Sequence, residues 1–70
     1  MNAKELKAEM IRKDKSVDQL CAAAGISKAT WYRKISGETE FTQGEIMGLR
    51  QELGLDDRQT MLIFFSNEVS

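Results

Sequence analysis

The sequence predicts an all-α fold of five short helices in one domain. Four positions place a short oxygen-bearing side chain three residues before a Glu or Gln, which is the spacing of a capping box at a helix start. Glycines occur where helices can end, and no proline interrupts the pattern. No stretch alternates apolar and polar residues as a half-buried strand does. We therefore expect residues 1–70 to form a single helical domain.

Each helix has its own start signal, and three have a glycine stop. The capping pairs, in chain order, are Asn2 with Glu5, Ser16 with Gln19, Thr42 with Glu45 and Asp56 with Gln59. Ser27 starts the remaining helix without such a partner, but Ile26 and Trp31 have the spacing of a hydrophobic staple around it. The stops are Gly25, Gly37 and Gly54. The predicted helices span residues 3–13, 17–24, 28–36, 43–53 and 57–66.

Apolar residues fall on one side of each predicted helix and define the expected core. They are Leu6 and Met10; Val17, Leu20, Cys21 and Ala24; Trp31 and Ile35; Ile46, Leu49 and Leu53; and Met61, Leu62 and Phe65. A domain of this size buries roughly 60% of its unfolded surface. The fold is therefore expected to be only marginally stable.

Composition argues against several kinds of protein. One cysteine and no histidine leave no intramolecular disulfide and no clustered zinc ligands, so no cofactor is expected. The polar N-terminus predicts no signal peptide, and no apolar stretch is long enough for a membrane span. We expect a cytoplasmic protein without membrane or small-molecule partners. The acidic residues Glu38, Glu40 and Glu45 have no base or nucleophile beside them, so enzyme activity is not expected.

Charge is divided between the two halves of the chain. Residues 1–36 hold eight basic and four acidic residues, a net charge of +4. Residues 37–70 hold two basic and seven acidic residues, a net charge of −5. The basic half suits a phosphate-bearing partner even though the whole chain has a net charge of −1. The alternative is that both halves are ordinary solvated helix faces.

Residues 16–37 have the pattern of a helix-turn-helix. Three alanines and then Gly25 give the first helix a thin end and a residue suited to a sharp turn, so the second helix can cross closely. In this motif the second helix places its exposed side chains in the major groove of DNA. At 100° per residue, Trp31 and Ile35 mark its inward face. A core role is accordingly expected for Trp31 rather than base stacking.

The outward side chains of that second helix have the chemistry of base recognition. Lysine and arginine donate to guanine, threonine bonds base edges or phosphates, and an alanine methyl packs on the thymine methyl. The predicted base-contacting residues are Lys28, Ala29, Thr30, Tyr32 and Arg33. Taken singly, most of them also fit an ordinary exposed helix position. Their shared face after a motif-shaped turn favours the DNA interpretation.

The chain resembles the lambda-repressor-like or Cro-like helix-turn-helix family, also called XRE-type, over all five predicted helices. The residues that carry the resemblance are Leu20, Cys21, Gly25, Ile26, Ser27, Thr30, Arg33 and Gly37. The resemblance implies that the second helix of the motif faces bases and that two other helix starts approach phosphates. The predicted phosphate-contacting residues are Ser16, Val17, Ser27, Lys34, Ser36, Thr42 and Gln43. The sequence departs from the family pattern at Val17, at Lys34 and Ile35, and in the acidic loop after Gly37.

The last predicted helix contains five consecutive large apolar residues, MLIFF at 61–65. One short helix packed on a bundle buries only about half of its circumference, so something else must cover the rest. Ile63 and Phe64 either tuck against the first helix or form a two-fold homodimer interface. The dimer is favoured because a regulator that binds two DNA half-sites roughly 34 Å apart needs two copies of its DNA-binding helix.

The predicted function is that of a sequence-specific double-stranded DNA-binding transcriptional regulator, a phage- or prophage-type repressor acting as a homodimer. The alternative is a helical protein-interaction module, an antirepressor or adaptor, that has kept the fold without specific DNA binding. The acidic residues after Gly37 keep this alternative open.

Overall fold

The computed structural model describes residues 1–65, and their regular structure consists of five helices. The helices are α1 (Ala3–Arg12), α2 (Val17–Ala24), α3 (Lys28–Ile35), α4 (Gln43–Leu53) and α5 (Asp57–Phe64). Their order and number confirm the predicted all-α class. The predicted bounds of α2 and α4 agree with the structure, whereas α1 and α3 end one residue earlier than predicted. Residue 66, the predicted end of α5, lies outside the described residues.

Helix starts follow the capping residues expected from the sequence. Reciprocal capping boxes begin α2, α4 and α5, at Ser16, Thr42 and Asp56. At α1 only half of the box forms: the Asn2 side chain accepts a hydrogen bond from the backbone N–H of Glu5, while the Glu5 carboxylate lies 3.3 Å from Arg12. Local side-chain chemistry therefore sets where each helix begins.

One core joins all five helices. Its buried apolar residues are Leu6, Met10, Leu20, Cys21, Trp31, Ile46, Leu49, Leu53, Leu55, Ile63 and Phe64. Leu55, which follows the end of α4, was not predicted to be buried. Aromatic rings connect α3 to α5: Trp31 meets Phe41 edge-on at 5.6 Å between ring centroids, and Phe41 meets Phe64 at 5.8 Å. The predicted core role of Trp31 is confirmed, since its exposed fraction is 2%.

The apolar run of α5 turns a different face to the core than the sequence suggested. Ile63 is fully buried and Phe64 nearly so, and the backbone N–H of Asn2 donates to the Ile63 carbonyl at 2.7 Å. The prediction that these two side chains form a dimer interface is therefore wrong for this fold, because the subunit itself covers them. Met61, Leu62 and Phe65, which were expected in the core, are 48–58% exposed.

Helices α2 and α4 touch through their backbones. A Cβ atom built on Gly48 would lie 2.2 Å from the carbonyl oxygen of Ala23. Only a residue without a side chain permits this approach, because real Cβ atoms essentially never come within 3.0 Å of a neighbouring atom. The α2–α4 contact fixes the first helix of the helix-turn-helix to the rest of the core.

The end of α1 is fastened to the end of α4. Lys13 donates from Nζ to the carbonyl oxygen of Leu53 at 2.7 Å, and Lys15 pairs with Glu52 at 2.9 Å. Glu9, which is 2% exposed, pairs with Arg12 and with Lys13. The lysine bonded to the last carbonyl of α4 satisfies one of the orphan acceptors at that helix end. Within residues 1–65, no helix combines the length and apolarity needed to cross a membrane.

Candidate nucleic-acid interface

The turn between α2 and α3 has the geometry that the sequence predicted. Gly25 adopts a left-handed conformation with φ of +73°, and nothing lies within 4 Å of where its Cβ would be. The N–H of Gly25 donates to Ala22 and the N–H of Ile26 donates to Cys21, which is the double hydrogen bond of a Schellman motif. Glycine is required here for its backbone conformation rather than for space.

Helix α3 has a clear division between its buried and exposed side chains. Trp31 and Lys34 are buried, and Ile35 is half-buried. The exposed side chains are Lys28, Ala29, Tyr32, Arg33 and Ser36 at the end of the helix. Four of the five residues predicted to contact bases are thus accessible on α3. The fifth, Thr30, is half-buried, and its hydroxyl is 3.0 Å from that of the N-cap Ser27.

Lys28 is held by an acidic residue of α2. Its Nζ lies 3.1 Å from Oδ1 of Asp18, and both side chains are mostly exposed. The hydrogen bond and the negative charge of Asp18 raise the pKa of Lys28. The lysine therefore stays protonated, but in the free protein its ammonium group already has a carboxylate partner. No pattern in the sequence predicted that Asp18 of α2 would pair with Lys28 of α3.

The structure corrects the prediction that Lys34 contacts a phosphate. Its side chain is 8% exposed and donates to the carbonyl oxygen of Glu40 at 2.8 Å. Nζ also lies 3.0 Å from Oε1 of Glu45 and 5.6 Å from the centroid of the Phe41 ring. All of these partners lie in the loop after α3 or in α4. By helix angle Lys34 lies beside Trp31, as Ile35 does, and these polar and aromatic partners stabilise the lysine on the inward side.

The other predicted phosphate-contacting residues lie at helix ends. Ser16, Ser27 and Thr42 are exposed N-cap residues whose hydroxyls accept backbone N–H donors. Gln43 is exposed at the first position of α4, whereas Val17 at the start of α2 is half-buried. Ser36 donates its hydroxyl to the Arg33 carbonyl at 2.9 Å. The N-cap residues of α2, α3 and α4 are therefore accessible to solvent, although their hydroxyls already accept hydrogen bonds within the protein.

One carboxylate oxygen of Glu45 links the start of α4 to Lys34 on α3. Oε1 accepts from the backbone N–H of Thr42 at 2.9 Å and lies 3.0 Å from Nζ of Lys34. Burial tends to raise the pKa of Glu45, but the hydrogen bonds from Thr42 and Lys34 outweigh it, so the pKa is lowered. The carboxylate is thus ionised under ordinary conditions. The sequence indicated the capping role of Glu45 but not its partner on α3.

Cys21 lies in the core, in agreement with its expected packing role. Burial, together with the nearby charge of Asp18, raises the pKa of its thiol. A buried thiol with a raised pKa is a poor nucleophile, because the thiolate is the reactive form.

Comparison with known proteins agrees with this geometry. A family model described as the Cro/C1-type HTH DNA-binding domain matches residues 5–56, which is more than half of the chain. The match runs from within α1 to the N-cap of α5 and includes the whole helix-turn-helix. Neither a curated protein nor a solved structure matches the chain. This family consists of DNA-binding domains, not enzymes. The chain belongs to the Cro/C1-type helix-turn-helix family of DNA-binding domains.

Proposed function

We propose that this protein is a sequence-specific transcriptional repressor of the phage or prophage type that binds double-stranded DNA through α3. The observation that carries the proposal is the division of α3 into two faces. The buried face anchors the helix through Trp31, while Ala29, Tyr32 and Arg33 on its other sides, and Lys28 in the first turn, are exposed to solvent. A rigidly held helix with an exposed basic face is what major-groove recognition requires.

Individual base contacts follow from the chemistry of these side chains. The guanidinium of Arg33 suits the paired acceptors O6 and N7 of guanine, and Lys28 donates to the same edge once it leaves Asp18. Ala29 offers a methyl group to thymine, and Thr30 and Tyr32 offer hydroxyls at the flanks. This assignment makes Arg33 the strongest single determinant of sequence preference, because it has no competing partner among the ion pairs of residues 1–65.

Phosphate contacts are proposed at the helix starts. Ser16 and Val17 begin α2, Ser27 begins α3, and Thr42 and Gln43 begin α4. Backbone N–H groups and the helix dipole favour anions at these ends. Ser36 adds a hydroxyl at the other end of α3. The contacts orient the protein on the duplex and carry no sequence information themselves.

We further propose that the repressor acts as a homodimer through the exposed side of α5. Met61, Leu62 and Phe65 are close together on one side of this short helix and are about half exposed. Clustered apolar side chains on a surface mark association sites. A two-fold dimer would present two copies of α3 to half-sites roughly 34 Å apart, and occupation of such a site would exclude RNA polymerase.

The DNA proposal is tested by selecting bound sequences from a random pool and measuring affinity for the selected site across a salt series. We expect a log–log salt slope of several units and a loss of about 1–3 kcal/mol for Arg33→Ala. Arg58→Ala on α5 is the control, since it removes the same charge from an exposed position away from α3. Absence of retained DNA at low salt would refute the proposal and favour the protein-interaction alternative.

The dimer is tested separately by sedimentation over a concentration series. Leu62→Glu is expected to give a monomer with an unchanged fold, because Leu62 is 48% exposed. Ile11→Glu is the matched control, as it places the same charge at an 81% exposed apolar side chain on α1. A wild-type protein that remains monomeric at high concentration would contradict the dimer proposal.

A further inference from the structure

We propose that Lys34 is a positioning residue for DNA binding: through Glu45 it holds the N-terminus of α4 in place relative to α3, without touching DNA itself. The inference rests on the proposed function, because it assigns base contacts to α3 and phosphate contacts to the start of α4. In this proposal the Lys34–Glu45 link keeps the base contacts of α3 in register with the phosphate contacts of α4.

The side chain of Lys34 crosses from α3 to two following segments. From α3, Nζ reaches the Glu40 carbonyl oxygen at 2.8 Å in the loop and Glu45 Oε1 at 3.0 Å in α4. The Phe41 ring lies 5.6 Å from the same ammonium. Helices α3 and α4 each pack closely on α2, but their own backbones approach each other at few points. Side chains therefore contribute to the connection between them: Lys34 contacts Glu45 on α4 directly and makes two further contacts, to the Glu40 carbonyl and the Phe41 ring, in the intervening loop.

One carboxylate oxygen joins this link to the proposed phosphate site. Oε1 of Glu45 accepts from Lys34 and also from the backbone N–H of Thr42, the N-cap of α4. A shift of Lys34 would therefore be transmitted to Thr42 and Gln43 through a single shared atom. Lys34 and Glu45 are not among the residues proposed to contact bases, so their link would act on DNA binding only through the placement of the α4 N-terminus.

Stability alone does not account for this arrangement. The Lys34 and Glu45 side chains are only 8% and 18% exposed, and buried ion pairs are often no more stabilising than apolar residues of the same volume. Their best-attested contribution is to select one arrangement among several similar packings. In this protein the selected arrangement is the relative placement of the two segments that are proposed to meet the DNA.

The first test compares two variants that remove the same charge. Glu45→Gln keeps a side chain that can complete the capping box with Thr42, but it removes the carboxylate partner of Lys34. Glu38→Gln removes a carboxylate from the exposed loop. Electrostatics alone predicts tighter binding to polyanionic DNA for both. The positioning role predicts that Glu45→Gln binds the selected site about 3- to 30-fold more weakly, while Glu38→Gln does not. Tighter binding by Glu45→Gln would overturn the inference.

The second test is a double-mutant cycle on DNA affinity. Lys34→Met retains a long, flexible apolar chain in the buried position, and Gln43→Ala removes a proposed phosphate contact. If Lys34 positions the α4 N-terminus, Gln43→Ala should weaken binding in the wild type but change it less than about twofold in the Lys34→Met background. Arg33→Ala should weaken binding by the same factor in both backgrounds. Thermal unfolding of each variant checks that it is folded.

The outcomes separate this inference from the proposed function. A wild-type protein that binds DNA, with Lys34→Met and Gln43→Ala losses that simply multiply, refutes the positioning role and leaves the repressor proposal standing. A wild-type protein that binds no DNA refutes the repressor proposal, and the positioning role with it.

Discussion

Substitution of Gly48 by alanine tests the closest backbone contact in the fold. The new Cβ would meet the Ala23 carbonyl oxygen at 2.2 Å, so α2 and α4 must move apart by at least 0.8 Å to reach the 3.0 Å that real Cβ atoms observe. Neither partner can yield by rotating a flexible side chain, because the clash is with a backbone atom. The whole α2–α4 contact has to separate.

The expected change in the free energy of unfolding is a balance of two terms. Overpacking typically costs about 1–3 kcal/mol, and a clash with a backbone atom that cannot rotate away belongs in the upper part of that range, at about 2–3 kcal/mol. Alanine is a better helix former than glycine in a helix interior and returns about 1 kcal/mol. Gly48→Ala should therefore lose about 1–2 kcal/mol, which lowers the Tm of a domain of this size by roughly 4–16 °C.

Gly44→Ala provides the matched control on the same helix. Nothing lies within 4 Å of a Cβ at Gly44, so this variant should gain about 0.5 kcal/mol from helix propensity, less than at Gly48 because Gly44 lies in the first turn of α4. Urea unfolding followed by the fluorescence of Trp31, the one tryptophan of the chain, measures both variants. If Gly48→Ala is as stable as Gly44→Ala, the close approach of α2 and α4 is not what glycine is needed for.

Three further predictions follow from single contacts. Asp18→Asn frees the Lys28 ammonium and removes a negative charge beside it, so DNA affinity at low salt should rise about two- to fivefold. Unchanged affinity would mean that Lys28 does not contact the DNA. The pKa of Glu45 is lowered in the folded state, so its ionised carboxylate stabilises the fold at pH values above its ordinary pKa of 4.5, and this contribution is lost as the pH falls through the folded-state pKa. Acidification should therefore lower the free energy of unfolding of the wild type more steeply than that of Glu45→Gln. Parallel curves of stability against pH would argue against the effect. Ser16→Ala removes the N-cap of α2 and should cost about 1 kcal/mol in urea unfolding, whereas an unchanged midpoint would show that Gln19 and water replace the cap.

Local signals predicted the helices well because the interactions that start and end a helix are local. The capping pairs at Ser16, Thr42 and Asp56 span only three residues, and each is present as a reciprocal box. Gly25 and Gly54 both end helices in the left-handed conformation. The helix-turn-helix and the exposed face of α3 could therefore be predicted from residue types and spacing.

Contacts between distant residues were less predictable. The run at 61–65 is apolar on every side, so its pattern does not show which face packs inward; the hydrogen bond from Asn2 to Ile63 and the packing on α1 decide it. Lys34 and Ile35 both lie near the inward face by angle, and the partners that draw Lys34 in come from a different helix and loop. Gly48 did offer a signal in the sequence. Glycine inside a helix lowers stability relative to alanine, so its presence there suggests that close packing requires it.

The division of α3 into two faces separates the side chains proposed to contact DNA from those that hold the helix in the fold. Trp31 and Lys34 hold the helix in place, while Lys28, Ala29 and Arg33 have no buried contact to lose. Under the proposed function, the outward positions can therefore be exchanged as a set to change the DNA sequence that is bound, provided that the two anchoring residues are kept. The scaffold is in this sense reprogrammable, and a graft that replaced the whole helix, anchors included, would discard the residues that orient it.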